Sequence, residues 1–213
     1  MKLSISFFKS DYPLDVTLDK INELNYDGYI HVDICDGKYV NASKTNLDEY
    51  IYFLKDVTKP LDIHLMVNNP ISYIHKLIEL KPEIISVQLN TDDDLKEISN
   101  ILHQNNIKMG LVINPDEEIY EVNKYIDFID LVLIMSVYPG KGGQKFITSI
   151  PYKLEHLNNL RANSNSKFLI HIDGGINNQT IKYIKDKVDM FVCGSYICCS
   201  NNYQEKVDSL LEK

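Results

Sequence analysis

Histidine and aspartate residues stand together near the ends of three apolar segments of this 213-residue chain. The segment HVDICDG carries His31 and Asp33, LDIHLMV carries His64, and HIDGG carries His171 and Asp173. Alternate side chains of a β-strand share one face, so His31 would lie on the same face as Asp33, and His171 on the same face as Asp173. Imidazole and carboxylate groups in this arrangement indicate metal binding or acid–base chemistry.

A divalent cation accounts for the convergence of these groups better than hydrogen bonding does. Buried carboxylates resist desolvation and repel each other, and a bound cation removes both penalties. For any one of these residues, a hydrogen-bonded core histidine or a helix-capping aspartate is the simpler interpretation. His171 would lie one layer deeper and is set aside. The remaining four groups together favour one metal ion per chain, held by His31, Asp33, His64 and Asp173. Two imidazoles and two carboxylates suit Zn²⁺, Fe²⁺, Mn²⁺ or Co²⁺.

Glycine is concentrated in three other segments, VYPGKGGQKF, DGG and CGS, each of which follows an apolar run. Glycine allows backbone N–H groups to approach an anion closely. Ordinary tight turns would explain each segment separately, but not the clustering of the three loops, which would be neighbours in a barrel. The pattern therefore favours a phosphate-binding site.

The elements that must position these groups alternate along the whole chain. Eight short runs read as strands: LSISFF, GYIHVDI, LDIHLMV, IISVQL, KMGLVIN, LVLIMSV, FLIHIDG and MFVCGS. Segments with helical spacing lie between them, such as Leu14, Leu18, Ile21 and Leu24. This alternation predicts parallel strands joined by right-handed crossovers and closed into a single (β/α)8 TIM barrel domain over residues 1–213. An open doubly wound sheet is the rival fold, but no glycine-rich dinucleotide turn follows the first strand.

The barrel prediction brings the two kinds of motif together. Active sites of such barrels lie at the carboxyl ends of the strands, and the loops after the seventh and eighth strands often bind phosphate. The histidine–aspartate groups and the glycine loops would thus share one mouth.

Charge and composition exclude several classes of partner. The net charge of -8 opposes binding to nucleic acid or anionic membranes. No apolar run reaches about 18 residues, so no membrane segment is expected. The four cysteines show no paired spacing typical of disulfides or zinc knuckles, which favours a cytoplasmic location. We also expect a homo-oligomer.

Seven motifs, in order, resemble the ribulose-phosphate 3-epimerase family from end to end: SISFFKSD, HVDICDGKYV, LDIHLMV, LVINP, VLIMSVYPGKGGQKF, HIDGGIN and FVCGS. The resemblance implies interconversion of D-ribulose 5-phosphate and D-xylulose 5-phosphate at C3, through an enediolate, in the pentose phosphate pathway. It also implies a phosphorylated sugar as the small-molecule partner.

The resemblance also assigns roles to individual residues. Asp33 and Asp173 would be both metal ligands and the acid/base pair on opposite faces of the substrate, and His31 and His64 would complete the metal shell. Further substrate contacts would come from Ser6, His64, Met66, Met135 and Asp173. The phosphate would lie on Gly140, Lys141, Gly142, Gly143, Gly174, Gly175, Gly194 and Ser195.

Several positions depart from the family pattern. Lys141 stands in place of a usual aromatic residue, and Cys35 in place of a methionine. The other departures are Asn41-Ala42, Gln88, Asn90 and His171. They leave open whether Cys35 is an additional metal ligand and how the changes affect reaction rate.

Three other functions remain alternatives. The nearest is a D-allulose 6-phosphate 3-epimerase, which would use the same metal shell and phosphate loops. A metal-dependent lyase or decarboxylase would need a lysine at a strand end, and none is apparent. A catalytically silent sugar-phosphate-binding barrel is disfavoured by the intact Asp33 and Asp173.

Overall fold

The computed structural model describes residues 1–211, which form a closed barrel of eight parallel strands in sequence order. The strands are β1 (Lys2–Ser6), β2 (Gly28–Cys35), β3 (Leu61–Met66), β4 (Ile84–Gln88), β5 (Lys108–Ile113), β6 (Leu131–Met135), β7 (Leu169–Asp173) and β8 (Met190–Cys193). β8 pairs with β1, which closes the barrel. The predicted TIM barrel and all eight strand segments are confirmed.

Seven α-helices surround the strands in residues 1–211: α1 (Leu14–Asn22), α2 (Leu47–Leu54), α3 (Pro70–Leu77), α4 (Leu95–Gln104), α5 (Ile150–Asn163), α6 (Ser195–Cys198) and α7 (Tyr203–Leu211). After β5 and β7 the connection is a short 3₁₀ helix instead, over Ile119–Lys124 and Ile181–Tyr183. A third 3₁₀ turn, Ile78–Leu80, continues α3. The sequence alternation thus predicts the strands better than the form of each crossover.

Local chemistry explains where several helices begin. The side chain of Asp94 accepts hydrogen bonds from the backbone N–H groups of Lys96 and Glu97, which caps α4. Pro70 occupies the first turn of α3, where its missing N–H costs nothing. In α1 the buried Leu18 and Ile21 face the barrel.

Strand alternation divides the apolar side chains into two cores. One set, including Ile30, Val32 and Ile34, packs between strands and helices. A second, smaller set fills the barrel interior: Tyr29, Ile84, Val112, Leu131, Leu133, Met135, Val137 and Met190. The predicted histidine and aspartate ligands lie above this interior layer, because they stand near the carboxyl ends of their strands, at the mouth of the barrel.

The strand register brings polar groups from different strands to one level. Asp33 on β2 pairs with His64 on β3, and Met135 on β6 pairs with Asp173 on β7. Ser6 at the end of β1 pairs with His31. Within residues 1–211, no helix has both the length and the apolar character needed to cross a membrane.

Candidate active site

The four residues predicted as metal ligands converge at the mouth of the barrel. His31, Asp33, His64 and Asp173 each offer one ligand atom, and these atoms all lie within 4.8 Å of one another. Both histidines are fully buried and Asp33 is 6% exposed, whereas Asp173 is more accessible. The cluster is therefore closed from below and open toward solvent on the Asp173 side.

Distances within the cluster fit a shared cation. Oδ1 of Asp33 lies 3.1 Å from Nδ1 of His64 and 3.4 Å from Nε2 of His31. The same Nε2 lies 3.9 Å from Oδ2 of Asp173. Nε2 of His31 is buried and has no hydrogen-bond partner among the described residues. An orphaned imidazole nitrogen beside two carboxylates is a donor set that suits a divalent cation.

The face of each histidine opposite the cluster is held by a further polar residue. Nδ1 of His31 is 2.7 Å from Oδ2 of Asp62, which also accepts a hydrogen bond from Ser4 at 2.9 Å. Nε2 of His64 is 2.7 Å from the side-chain amide of Gln88. A carboxylate partner such as Asp62 fixes the orientation of a metal-binding imidazole and raises its basicity.

Asp62 is a site residue that was not predicted from the sequence. A signal for it was present, because Asp62 lies two residues before His64 on the same strand and therefore faces the barrel interior. Gln88 was noted only as a departure from the family pattern. Its side-chain oxygen accepts hydrogen bonds from the Tyr39 hydroxyl and the Asn114 amide, and the contact with Tyr39 connects His64 to the loop after β2.

The electrostatics of the cluster reflect three carboxylates around two imidazoles. Burial opposes ionisation of Asp33, but His31 and His64 outweigh it and hold the pKa of this carboxyl well below its usual range. Burial and the neighbouring charge of Asp33 raise the pKa of Asp173 to about 6. Burial disfavours the charged form of His31, yet Asp33 and Asp62 raise its pKa well above the usual value. The protein groups thus favour positive charge at the centre of the cluster, as a metal ion would provide.

A cavity extends from the cluster to the glycine-rich loops. Its empty volume, including the open mouth, is about 570 Å³. Thirteen predicted residues line it: Ser6, Asp33, Met66, Met135, Gly140, Lys141, Gly142, Gly143, Asp173, Gly174, Gly175, Gly194 and Ser195. His31 and His64 do not line it, because they lie below the two aspartates.

Three features of the cavity wall were not predicted from the sequence. Lys9, which follows β1, lines the cavity near the glycine loops. Tyr138 and Gln144 line it from the loop after β6. The hydroxyl of Ser6 donates a hydrogen bond to Oδ2 of Asp33 at 2.8 Å, so the predicted substrate contact also touches one of the acid/base candidates.

Glycine is required in the loop after β7 for steric reasons. Gly174 and Gly175 have φ angles of +115° and +64°. A Cβ atom at Gly174 would lie 2.4 Å from Val137, and one at Gly175 would lie 2.6 Å from the backbone nitrogen of Phe146. The loops after β6 and β7 therefore pack closely, and a larger residue at either glycine would separate them.

The backbone of these loops retains free donors. Among the described residues, no protein acceptor pairs with the backbone N–H groups of Gly142, Gly143 and Gly175. Free N–H groups in glycine loops with positive φ angles form concave sites that suit anions.

The match to a protein family covers most of the chain. The family model described as "Ribulose-phosphate 3 epimerase family" matches residues 3–198. The chain belongs to the ribulose-phosphate 3-epimerase family.

Curated members of the family resemble the chain over nearly its whole length. The chain is 32% identical over 216 residues to "Ribulose-phosphate 3-epimerase" of Helicobacter pylori strain J99, covering 99% of this chain and 96% of that protein. It is 30% identical over 184 residues to the protein of the same name from Bacillus subtilis, covering 85% of this chain and 84% of the relative.

Solved structures of more distant proteins share the fold. Tryptophan synthase of Mycobacterium tuberculosis superposes with a TM-score of 0.72 at 11% identity, covering 99% of this chain and 91% of that one. The A-subunit of tryptophan synthase from Pyrococcus furiosus superposes with a TM-score of 0.70 at 18% identity, covering 100% and 98%. At these identities the likeness concerns the barrel alone.

The departures from the epimerase pattern surround the cluster without entering it. Cys35 is buried and lies outside the four-residue cluster, and burial raises the pKa of its thiol to about 12. His171 is 3% exposed, and burial lowers its pKa to about 4. Asn90 donates a hydrogen bond to Glu117. Lys141 lines the cavity.

Proposed function

We propose that this chain is a metal-dependent epimerase that interconverts D-ribulose 5-phosphate and D-xylulose 5-phosphate at C3. The observation that carries the proposal is the joint placement of Asp33 and Asp173, which line one cavity from strands β2 and β7 and share a cluster with two histidines. Inversion at a carbon requires a proton acceptor on one face and a proton donor on the other, and two carboxylates from different strands can fill these roles.

His31, Asp33, His64 and Asp173 would hold the metal ion. A divalent cation bound there would supply Lewis acidity that stabilises negative charge on the substrate oxygens. The two-nitrogen, two-oxygen donor set supports Zn²⁺, Fe²⁺, Mn²⁺ or Co²⁺.

The other cavity residues would bind and shield the substrate. The Ser6 hydroxyl, beside Asp33, would hydrogen-bond a substrate hydroxyl. Met66 and Met135 are buried and line the cavity, so their thioethers would exclude water from the faces of the planar intermediate. This exclusion protects the intermediate from protons other than those of the two aspartates.

The phosphate would lie at the glycine end of the cavity, on the loops after β6, β7 and β8. The free N–H groups of Gly142, Gly143 and Gly175 support this placement, as do the positive φ angles that only glycine adopts easily. Gly194 and Ser195 close the cavity from the end of β8. Homo-oligomeric assembly and a cytoplasmic location stay predictions from the sequence.

An assay of purified protein with D-ribulose 5-phosphate tests the proposal, with D-xylulose 5-phosphate followed through a coupled enzyme. We expect turnover that is lost on chelation and restored by one of the four metals. Parallel assay with D-allulose 6-phosphate distinguishes five-carbon from six-carbon preference. Lack of turnover of D-ribulose 5-phosphate by metal-loaded protein would refute the proposed substrate.

A further inference from the structure

The cavity is electrically polarised along its length. Two carboxylates, Asp33 and Asp173, line the end next to the metal cluster. Two lysines, Lys9 and Lys141, line the end formed by the glycine loops. The chain as a whole carries a net charge of -8, so this local positive end is opposite in sign to the rest of the protein.

Lys9 lies directly across the glycine loop after β6. A Cβ atom at Gly142 would lie 2.6 Å from Cβ of Lys9, and one at Gly143 would lie 2.7 Å from its Nζ. The lysine stem therefore covers the Gly142–Gly143 backbone and brings the ammonium to the loop whose N–H groups are free. These glycines leave room for Lys9 as well as for an anion.

The backbone around Lys9 is hydrogen-bonded to the segment after β8, on another side of the same cavity. The carbonyl oxygen of Lys9 accepts a hydrogen bond from the thiol of Cys199 at 3.6 Å, and the backbone N–H of Asp11 donates to Cys198 at 3.3 Å. Cys198 is the last residue of α6, which begins at Ser195 in the cavity wall, and Cys199 follows it directly. Lys9 thus projects from a segment that is tied to the β8 end of the site.

Lys9 is exposed, and its ammonium has no carboxylate within ion-pair distance among residues 1–211. Its charge is available to a ligand. We propose that Lys9 is a specificity-determining residue that pairs with the phosphate of the substrate, a role that rests on the proposed function of the site. The ammonium and the free backbone N–H groups of the glycine loop hold the phosphate together.

This role has a physical reason in the charge of the cavity. A phosphate dianion entering the mouth approaches two carboxylates in a protein of negative net charge, and the backbone dipoles and cations at the phosphate end must offset that repulsion. One ammonium at the phosphate end adds a charge-assisted hydrogen bond and directs the phosphate away from the aspartates. The same charge favours binding of phosphorylated sugars over their neutral counterparts.

Kinetics of the metal-loaded variants Lys9→Gln and Lys9→Arg test the inference. Lys9→Gln removes the charge, so we expect KM for D-ribulose 5-phosphate to rise about tenfold, a value at the lower end for charged hydrogen bonds because the site is exposed. We expect kcat to stay within about twofold, because the ammonium lies at the phosphate end, away from Asp33 and Asp173. Lys9→Arg should restore most of the affinity. The inhibition constant of inorganic phosphate should rise in Lys9→Gln by about the same factor as KM.

Lys44→Gln is the matched control. Lys44 is exposed on the loop after β2 and does not line the cavity, and its replacement changes the net charge equally. Unchanged KM in Lys9→Gln, an equal rise of KM in Lys44→Gln, or a loss confined to kcat would each overturn the role of Lys9. If the wild-type protein lacks turnover, the proposed function fails on its own. Calorimetric titration of wild type and Lys9→Gln with inorganic phosphate then still tests Lys9, and equal affinities would refute it.

Discussion

Asp62 holds His31 from below, with 2.7 Å between the carboxylate Oδ2 and the imidazole Nδ1. Burial raises the pKa of Asp62, but the charge and hydrogen bond of His31 outweigh it and keep the carboxyl ionised. The proton between them therefore belongs to Nδ1, which leaves Nε2, the orphaned nitrogen, facing the cluster. The pair accordingly keeps a proton on Nδ1, so Nε2 is the nitrogen of His31 that would bind a metal.

Replacement of Asp62 should weaken metal binding. In Asp62→Asn the shape is kept but the charge is lost, so we expect metal affinity to fall about tenfold to hundredfold, with activity recovering in excess metal. Competition with a chelator measures the affinity, and circular dichroism verifies folding. Ser4→Ala, which removes only the neutral donor to Asp62, is the control and should have a smaller effect. Equal metal affinity in wild type and Asp62→Asn would show that this contact does not support the site.

Asp33 and Asp173 should divide the two proton transfers. Asp33→Asn or Asp173→Asn removes one proton acceptor, so epimerisation should fall by roughly 10²-fold or more. In heavy water each metal-loaded variant should still exchange the C3 proton of one epimer, and the two variants should differ in which one. NMR measures the exchange, and elemental analysis verifies metal content. Wild-type rates in both variants, or exchange of the same epimer by both, would contradict the two-base assignment.

A negative charge at Ser195 should block phosphate binding. Ser195→Asp places a carboxylate on the cavity wall where the phosphate is proposed to lie, so KM for D-ribulose 5-phosphate should rise by more than tenfold through charge repulsion. Ser195→Ala tests loss of the hydroxyl alone. Ser209→Asp, on an exposed position of α7, adds the same charge elsewhere and should leave KM unchanged. A folded Ser195→Asp protein with wild-type KM would place the phosphate elsewhere.

Cys35 should not be a metal ligand. Its thiol lies outside the cluster, and burial raises its pKa to about 12, so it stays protonated at neutral pH. We expect Cys35→Ala to bind metal with stoichiometry equal to that of wild type. Protein loaded with Co²⁺ should show no sulfur-to-cobalt charge-transfer band. Such a band in wild type, absent from Cys35→Ala, would establish thiolate coordination.

His171 should make the metal-free protein sensitive to mild acid. Burial lowers its pKa to about 4, below the value of 6.5 for an exposed histidine. The unfolded chain therefore binds this proton at higher pH than the folded chain, so stability falls as pH decreases from about 6.5 toward 4. Since each pKa unit corresponds to about 1.4 kcal/mol, the loss can reach about 3 kcal/mol.

His171→Gln removes this titration and tests its contribution. Urea unfolding of chelated wild type and chelated His171→Gln at pH 7 and pH 5 should show a smaller pH effect in the variant. Identical pH dependence in the two proteins would mean that other groups control acid stability.

Much of the site follows from local pattern. The alternation of apolar and polar residues in HVDICDG, LDIHLMV and HIDGG assigns the ligands to one strand face, because successive side chains of a strand point to opposite sides. The order of strand and helix segments determines the barrel for a related reason, since parallel strands need crossovers and eight of them close. The glycine loops could likewise be located, because residues with a Cβ atom disfavour the positive φ angles seen at Gly174 and Gly175.

Barrel closure decided the remaining features, which depend on groups far apart in the chain. The partnerships of His31 with Asp62 and of His64 with Gln88 require the lateral register between neighbouring strands, which no local pattern specifies. In the sequence SISFFKSD nothing distinguishes Lys9 from an ordinary charged surface residue. It becomes part of the cavity because the end of β1 and the loop after β6 meet at the same mouth. Sequence alone therefore determined which residue types face the barrel interior, whereas tertiary structure decided which of them touch, since contact distance depends on closure and register.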